Sequence, residues 1–337
     1  MIIQLKPKTT EKELQRVIKR LIKDGIEKEN IEVIRGDPHT VLGIKGDTRK
    51  LSEDHYETLE SVYQVIRISD PCKELTKYFH PKGTTVELSN GHKIGEGLTV
   101  IAGPCAVESY KQLLESAKIV KKAGANVLRG GAYKPRTSPD SFQGLGEEGL
   151  KYLAKVKKEL GMPIITELTD IRDLKLFEKY DVDIIQIGAR NCQNFRLLDE
   201  MAKVDRPVML KRGSEVSVTE YLLAALRIYR GNRKVILCER GGKTHDPKHR
   251  NVLNLNNVVY IKQNYHLPII VDPSHGSGIR KSVAPLSCAG IAAGADGVMI
   301  EVHCNPEEAL CDGDQSIDGE IFDLIPKLEQ IYRLVQN

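Results

Sequence analysis

The chain has 337 residues, 40% of them hydrophobic and 28% charged, with a formal net charge of +4. That length suits about two domains, the composition is that of an ordinary globular protein, and the charge is too small to argue for nucleic acid. No stretch approaches the roughly 20 apolar residues of a membrane span, no secretory leader is read, and seven scattered cysteines suit a reducing compartment, so a cytoplasmic protein with no membrane or nucleic-acid partner is expected.

The first 70 residues read as strand, helix, strand, strand, helix, strand. Ile2–Leu5 opens as an apolar strand. Thr10 and Glu13 form a capping box, after which Leu14, Val17, Ile18, Leu21 and Ile22 recur at helical spacing until Gly25. Ile31–Arg35 and Val41–Lys45 are expected as strands joined through the turn Gly36-Asp37-Pro38. A short helix around Asp54–Leu59 and a strand Val62–Ile68 complete a βαββαβ pattern, the ferredoxin-like arrangement. This segment is charge-balanced, with 13 Lys and Arg against 13 Asp and Glu, and it lacks the aromatic pairs of an RNA-stacking platform. Residues 71–97 read as a connector, in which Thr85–Leu88 and His92–Ile94 flank the hairpin signal Asn90-Gly91.

From residue 98 to 337, apolar strands alternate with amphipathic helices. The strands are expected at Thr99–Ala102, Val127–Arg129, Pro163–Thr166, Ile184–Ile187, Val208–Leu210, Val235–Cys238, Ile269–Val271 and Gly297–Ile300. Eight strands over about 240 residues match a (β/α)8 barrel, so the fold class is α/β, a TIM barrel preceded by a small ferredoxin-like domain. Pro326 should kink or restart the last helix.

In such a barrel the reacting groups follow the strands. The eight strand ends lead in turn to Cys105; to Arg129, Lys134 and Arg136; to Glu167; to Arg190; to Lys211; to Arg240; to His275; and to Glu301, with Asp312 in the loop beyond. The six cations would converge on a cavity that takes much negative charge. A phosphate monoester carries about −1.5 to −2 near neutral pH, so two phosphorylated substrates and a carboxylate would balance them. Cys105, His275, Glu301 and Asp312 form a second set, because strands one, seven and eight are neighbours in a closed barrel. Thiolate, imidazole and carboxylate together can hold a divalent transition ion. His303 shares the side of Glu301 by strand alternation and is expected to line the pocket without binding the ion.

Several segments occur here in one order: Ile101-Ala102-Gly103-Pro104-Cys105, Lys134-Pro135-Arg136-Thr137-Ser138, Gly188-Ala189-Arg190-Asn191, Leu210-Lys211-Arg212-Gly213 and Cys238-Glu239-Arg240-Gly241. Asp272-Pro273-Ser274-His275, Glu301-Val302-His303 and Asp312-Gly313-Asp314-Gln315-Ser316 follow. Together they closely resemble the 3-deoxy-D-arabino-heptulosonate 7-phosphate (DAHP) synthase family, in its microbial subgroup with an N-terminal ferredoxin-like regulatory domain. The resemblance implies condensation of phosphoenolpyruvate with erythrose 4-phosphate, releasing phosphate, as the first step of the shikimate pathway to the aromatic amino acids. It implies that Arg129, Lys134, Arg190, Lys211 and Arg240 grip phosphoenolpyruvate and that Arg136, Thr137 and Ser138 hold the erythrose 4-phosphate phosphate. It further implies catalysis through Lys134, Cys105 and His275, with Lys134 as a proton donor. Cys105, His275, Glu301 and Asp312 would bind a divalent metal: manganese, iron, cobalt or zinc.

The nearest alternative is the sister family, 3-deoxy-octulosonate 8-phosphate synthase, which uses arabinose 5-phosphate. That family typically has Ala-Asn where this chain has Pro135, which favours the four-carbon aldose. A Schiff-base aldolase using Lys134 or Lys211 is a mechanistic rival, and a non-catalytic metabolite binder is a third class. The resemblance also implies a homotetramer and feedback inhibition by an aromatic amino acid. Residues 1–70 do not name that ligand; the second strand offers only Glu32 as an acidic side chain. Cys304 and Cys311 lie near the site in sequence and are candidates for oxidation.

Overall fold

The computed structural model describes residues 1–36, 38–67 and 70–335. They form two compact units: Met1–Gly83 with Asn264–His266, and Thr84–Gln263 with the chain from Leu267 onward. The expected turn through Asp37, and Ile68 at the end of the expected fourth strand, lie outside the described residues.

In the first unit, β1 (Ile2–Leu5), β2 (Ile31–Arg35), β3 (Thr40–Ile44) and β4 (Val62–Ile66) form a sheet in the order β2-β3-β1-β4, and each neighbouring pair is antiparallel. With helices α1 (Glu11–Lys23) and α2 (Glu53–Glu57) in the connections, this is the ferredoxin-like topology. The capping box is formed: the Thr10 amide donates to Glu13 Oε2 at 2.7 Å, and the Glu13 amide donates back to Thr10 Oγ1 at 3.4 Å. The apolar face of α1, Leu14, Val17, Ile18 and Leu21, packs with Ile3, Leu5, Leu42 and Ile44. Helix α2 is shorter than its pattern suggests, because Ser52 caps it through the His55 amide and Thr58 closes it. Residues 71–83, read from sequence as connector, belong to this unit. Phe79 packs with Ile2 and Val41, and a Cβ on Gly43 would come within 2.2 Å of its ring, so only glycine fits there.

The second unit opens with a hairpin of β5 (Val86–Glu87) and β6 (Lys93–Ile94). Gly91 at φ +83° ends the turn, and the Leu88 amide donates to the His92 carbonyl. The connection is thus the three-residue kind with a left-handed glycine last, rather than a two-residue Asn-Gly turn. Eight parallel strands follow: β7 (Thr99–Gly103), β8 (Val127–Arg129), β9 (Ile164–Glu167), β10 (Ile184–Ile187), β11 (Val208–Lys211), β12 (Val235–Glu239), β13 (Ile269–Val271) and β14 (Gly297–Glu301). They close into a barrel. Its interior layer is Ile101, Val127, Ile165, Ile184, Met209, Ile236, Ile270 and Met299, with Val86, Leu88 and Ile94 of the hairpin in the same cluster. His92 Nε2 lies 3.0 Å from Thr99 Oγ1 at the start of β7, which puts the hairpin at the N-terminal end of the barrel.

Side chains alternate with period two along a strand, so the residues two places beyond that layer share its interior face at the C-terminal end. They are Gly103, Arg129, Glu167, Gln186, Lys211, Cys238 and Glu301, while Asp272 lies just past the end of β13. Several strands therefore run a residue past their apolar pattern, ending on Gly103, Glu167, Lys211, Glu239 and Glu301. The final helix, Ile321–Val335, continues through Pro326 and is not restarted. The carbonyl that loses its donor is that of Phe322, in the first turn of the helix. Among the described residues no helix is long and apolar enough to cross a membrane.

Candidate active site

The β8 loop is shaped by close backbone approach. Gly103 sits at φ +149°, and a Cβ there would lie 2.2 Å from the Arg129 carbonyl. A Cβ on Gly131 would lie 2.8 Å from the Cys105 carbonyl and 2.9 Å from Lys134 Cδ. Small residues at these points let the ends of β7 and β8 meet and turn Lys134 inward. Its ammonium stands 2.9 Å from Cys105 Sγ.

All six expected cations, Arg129, Lys134, Arg136, Arg190, Lys211 and Arg240, line one cavity of about 550 Å³, together with Thr137, Glu167, His275 and Asp312. Arg190 donates to the Pro135 carbonyl and, at 3.4 Å, to Thr137 Oγ1, so two of the strand-end loops are tied together. Ser138 is not brought into the lining; its hydroxyl accepts from the Asp140 amide at 3.3 Å.

Cys105, His275, Glu301 and Asp312 each offer a ligand atom within 4.8 Å of the others. Glu301 is fully buried. One of its oxygens accepts from Gln315 Nε2, while Oε1 has no hydrogen-bond partner and faces His275 Nε2 at 3.4 Å and Arg129 Nη1 at 3.2 Å. A buried carboxylate oxygen left without a hydrogen bond is costly, and one that converges with sulfur, imidazole and a second carboxylate suits a divalent transition ion. The residues present fit such an ion. His303 is not part of this set and does not line the cavity, contrary to strand alternation, because β14 ends at Glu301. Its Nδ1 accepts from the Asn305 amide, and its Nε2 lies 3.4 Å from Glu108.

The electrostatics follow from burial and from these pairs. Burial pushes the Cys105 thiol well up, helped by its contact with Cys311 at 3.1 Å and opposed by the Lys134 ammonium. Burial also lowers His275, against the pull of Asp272 and Glu301, which favours a neutral imidazole with a free lone pair. Burial works against charge on Lys134, but the neighbouring sulfurs and Glu301 hold its pKa above the ordinary lysine range. Burial likewise opposes charge on Asp312, yet His275, Arg250 and Lys134 keep it below the usual carboxylate range.

Several residues here escaped the sequence reading. Asp272 is fully buried and accepts from Lys211 and from His275 Nδ1; its signal was its place as N-cap before Pro273. Arg250, which has no motif of its own, lines the cavity and reaches Gln315 at 2.9 Å and Asp312 at 3.5 Å. Gln186 also lines it, donating to Glu167 at 3.1 Å. Arg212 and Glu239, which stand beside Lys211 and Arg240 in the sequence, instead form a buried two-pronged pair at 2.6 and 2.9 Å outside the cavity.

A closed barrel whose strand-end mouth gathers cations beside four convergent metal-capable side chains defines the class: a (β/α)8-barrel enzyme. The chain belongs to the DAHP synthetase I family, which it matches over residues 83–334, and residues 1–70 match the DAHP synthase ferredoxin-like domain. Phospho-2-dehydro-3-deoxyheptonate aldolase of Thermotoga maritima is 46% identical over 98% of this chain and 97% of its own length. A crystal structure of that Thermotoga maritima enzyme, DAHP synthase, aligns with a TM-score of 0.75 at 45% identity, covering 99% of this chain and 97% of the other. The 2-dehydro-3-deoxyphosphooctonate aldolase of Desulfotalea psychrophila is more distant, 33% identical over 76% of this chain and 96% of its own.

Proposed function

We propose that the chain condenses phosphoenolpyruvate with erythrose 4-phosphate to give 3-deoxy-D-arabino-heptulosonate 7-phosphate and phosphate, entering the shikimate pathway. The observation that carries this reading is the meeting of six cations at one cavity with His275 and Asp312 of the four-residue cluster in its lining. In it, Arg129, Lys134, Arg190, Lys211 and Arg240 hold the phosphate and carboxylate of phosphoenolpyruvate. Arg136 and Thr137 hold the phosphate of the aldose. Ser138 would join them only by turning its hydroxyl from the Asp140 amide. Cys105, His275, Glu301 and Asp312 would bind the divalent ion, of manganese, iron, cobalt or zinc type. When bound, that ion supplies Lewis acidity toward the aldehyde oxygen.

The remaining work falls to the side chains. The cations neutralise two anionic substrates and orient them, so that the enol carbon meets the aldehyde carbon. Lys134, kept protonated, is the donor at the aldehyde end. Water then adds to the former enol-phosphate carbon and phosphate leaves. The ferredoxin-like unit is assigned feedback inhibition by an aromatic amino acid in a cytoplasmic homotetramer. Glu32, the acidic side chain of its second strand, pairs with Lys45 at 3.0 Å.

Phosphate release from phosphoenolpyruvate, with erythrose 4-phosphate and with arabinose 5-phosphate as acceptors, each with and without EDTA, tests the reading. Turnover with the four-carbon acceptor alone, abolished by EDTA, is expected. Preference for arabinose 5-phosphate would transfer the chain to the octulosonate reaction that its more distant relatives are named for. Chelator-resistant activity trapped by borohydride would point to a Schiff base.

A further inference from the structure

We propose that Asp272 is a positioning residue that ties the metal-binding half of the site to the half that grips phosphoenolpyruvate, through a single carboxylate. The inference rests on the function proposed above and goes beyond it, since Asp272 does not line the cavity.

The geometry is specific. Asp272 follows β13, is fully buried, and caps the short helix Pro273–Ser277 by accepting the His275 amide on Oδ1 at 3.0 Å. Its other oxygen, Oδ2, accepts from His275 Nδ1 at 2.8 Å and from the Lys211 ammonium. An imidazole that donates from Nδ1 carries its lone pair on Nε2, and Nε2 is the atom that faces Glu301 and Asp312 at 3.4 and 3.7 Å. Asp272 therefore sets both the tautomer and the rotation of a proposed ligand, as carboxylates behind metal-bound histidines do. The same oxygen anchors Lys211, which is 4% exposed and lines the cavity. An ammonium has three donors, so two are left for an anion. One oxygen thus sets the position of a ligand on β13's loop and of a cation at the end of β11.

Asp272→Asn keeps the shape and the capping oxygen but cannot accept on both sides. In the full chain we expect Mn²⁺ affinity, titrated calorimetrically, to fall about 10- to 100-fold, and the KM for phosphoenolpyruvate to rise at least fivefold. The KM for erythrose 4-phosphate should stay within about threefold. A loss confined to Mn²⁺ or to phosphoenolpyruvate alone, or no loss in either, would overturn the link. Because the variant leaves Lys211 buried beside an amide, its folding is checked by circular dichroism. Nitrogen-15 spectra of histidine-labelled, EDTA-treated wild-type protein give a second reading that needs no variant. His275 protonated on Nδ1 is expected, and the Nε2-protonated tautomer would refute the proposal. Wild-type protein that neither binds Mn²⁺ nor consumes phosphoenolpyruvate would instead sink the function itself.

Discussion

Cys105 and Arg136 sit a few ångströms apart but are asked to do separable things. Cys105 Sγ lies 3.4 Å from Asp312 Oδ2 and is the one sulfur in the proposed ligand set. Serine is close in volume but is a poor ligand for a transition ion, so Cys105→Ser should lose most turnover and most Mn²⁺ binding while keeping the wild-type circular dichroism spectrum. Retained activity in that variant would remove Cys105 from the set. Arg136 lies farther out on the loop, 3.5 Å from Asp312 and 3.2 Å from Cys311. Arg136→Ala should raise the KM for erythrose 4-phosphate tenfold or more, about 1.4 kcal/mol, with the KM for phosphoenolpyruvate changed much less. Equal effects on both substrates would assign Arg136 to the shared cationic field rather than to the aldose.

At the scale of elements, two features hold the site in place from outside it. The buried Arg212–Glu239 pair joins the end of β12 to the loop after β11, and Glu239 also accepts from the Gly241 amide and Asn257. Breaking a buried, hydrogen-bonded pair leaves a charge uncompensated and costs roughly 3–5 kcal/mol. Glu239→Gln should therefore lower the denaturant midpoint by a corresponding amount, and a midpoint unchanged from wild type would mean the pair is relaxed by solvent. At the opposite end, burial lowers the pKa of His92 in the β5–β6 hairpin. The folded protein then resists protonating it, while the unfolded chain takes up the proton near the ordinary value of about 6.5. Where the unfolded state binds more protons, stability rises with pH, so His92 destabilises the fold as pH drops below that value. The melting temperature should fall between pH 7.5 and 5.5, and by less in His92→Gln.

For the whole molecule, an ion bound only by the folded barrel must stabilise it by mass action. At a free concentration 100 times the dissociation constant the gain is about 2.7 kcal/mol. Protein treated with EDTA should melt at a lower temperature than Mn²⁺-loaded protein, with a shift that saturates, and Cys105→Ser should show no such shift. A shift that persists in Cys105→Ser would place the ion elsewhere.

What could be read without coordinates was what depends on local pattern. The short apolar runs between amphipathic helical segments located β7–β14, the Thr10–Glu13 box started α1, and the strand-end rule picked out six of the cations that line the cavity. Those signals are local, because apolar runs and capping act over a few residues. The ends of the strands were set short, since Glu167, Lys211 and Glu301 break the apolar pattern where the ladder continues. His303 was misplaced for the reverse reason, as alternation was carried past the point where β14 stops. Pro326 was read as a kink or restart; the helix is not restarted there, because the one hydrogen bond lost lies near its start, at the carbonyl of Phe322. Only the closed barrel decided that Asp272 would lie against both Lys211 and His275, 61 and 3 residues away in sequence, and that Arg250 would face Asp312 while Arg212 turned away. Contacts between distant segments depend on how eight strands close on one another, and a linear pattern holds no record of that closure.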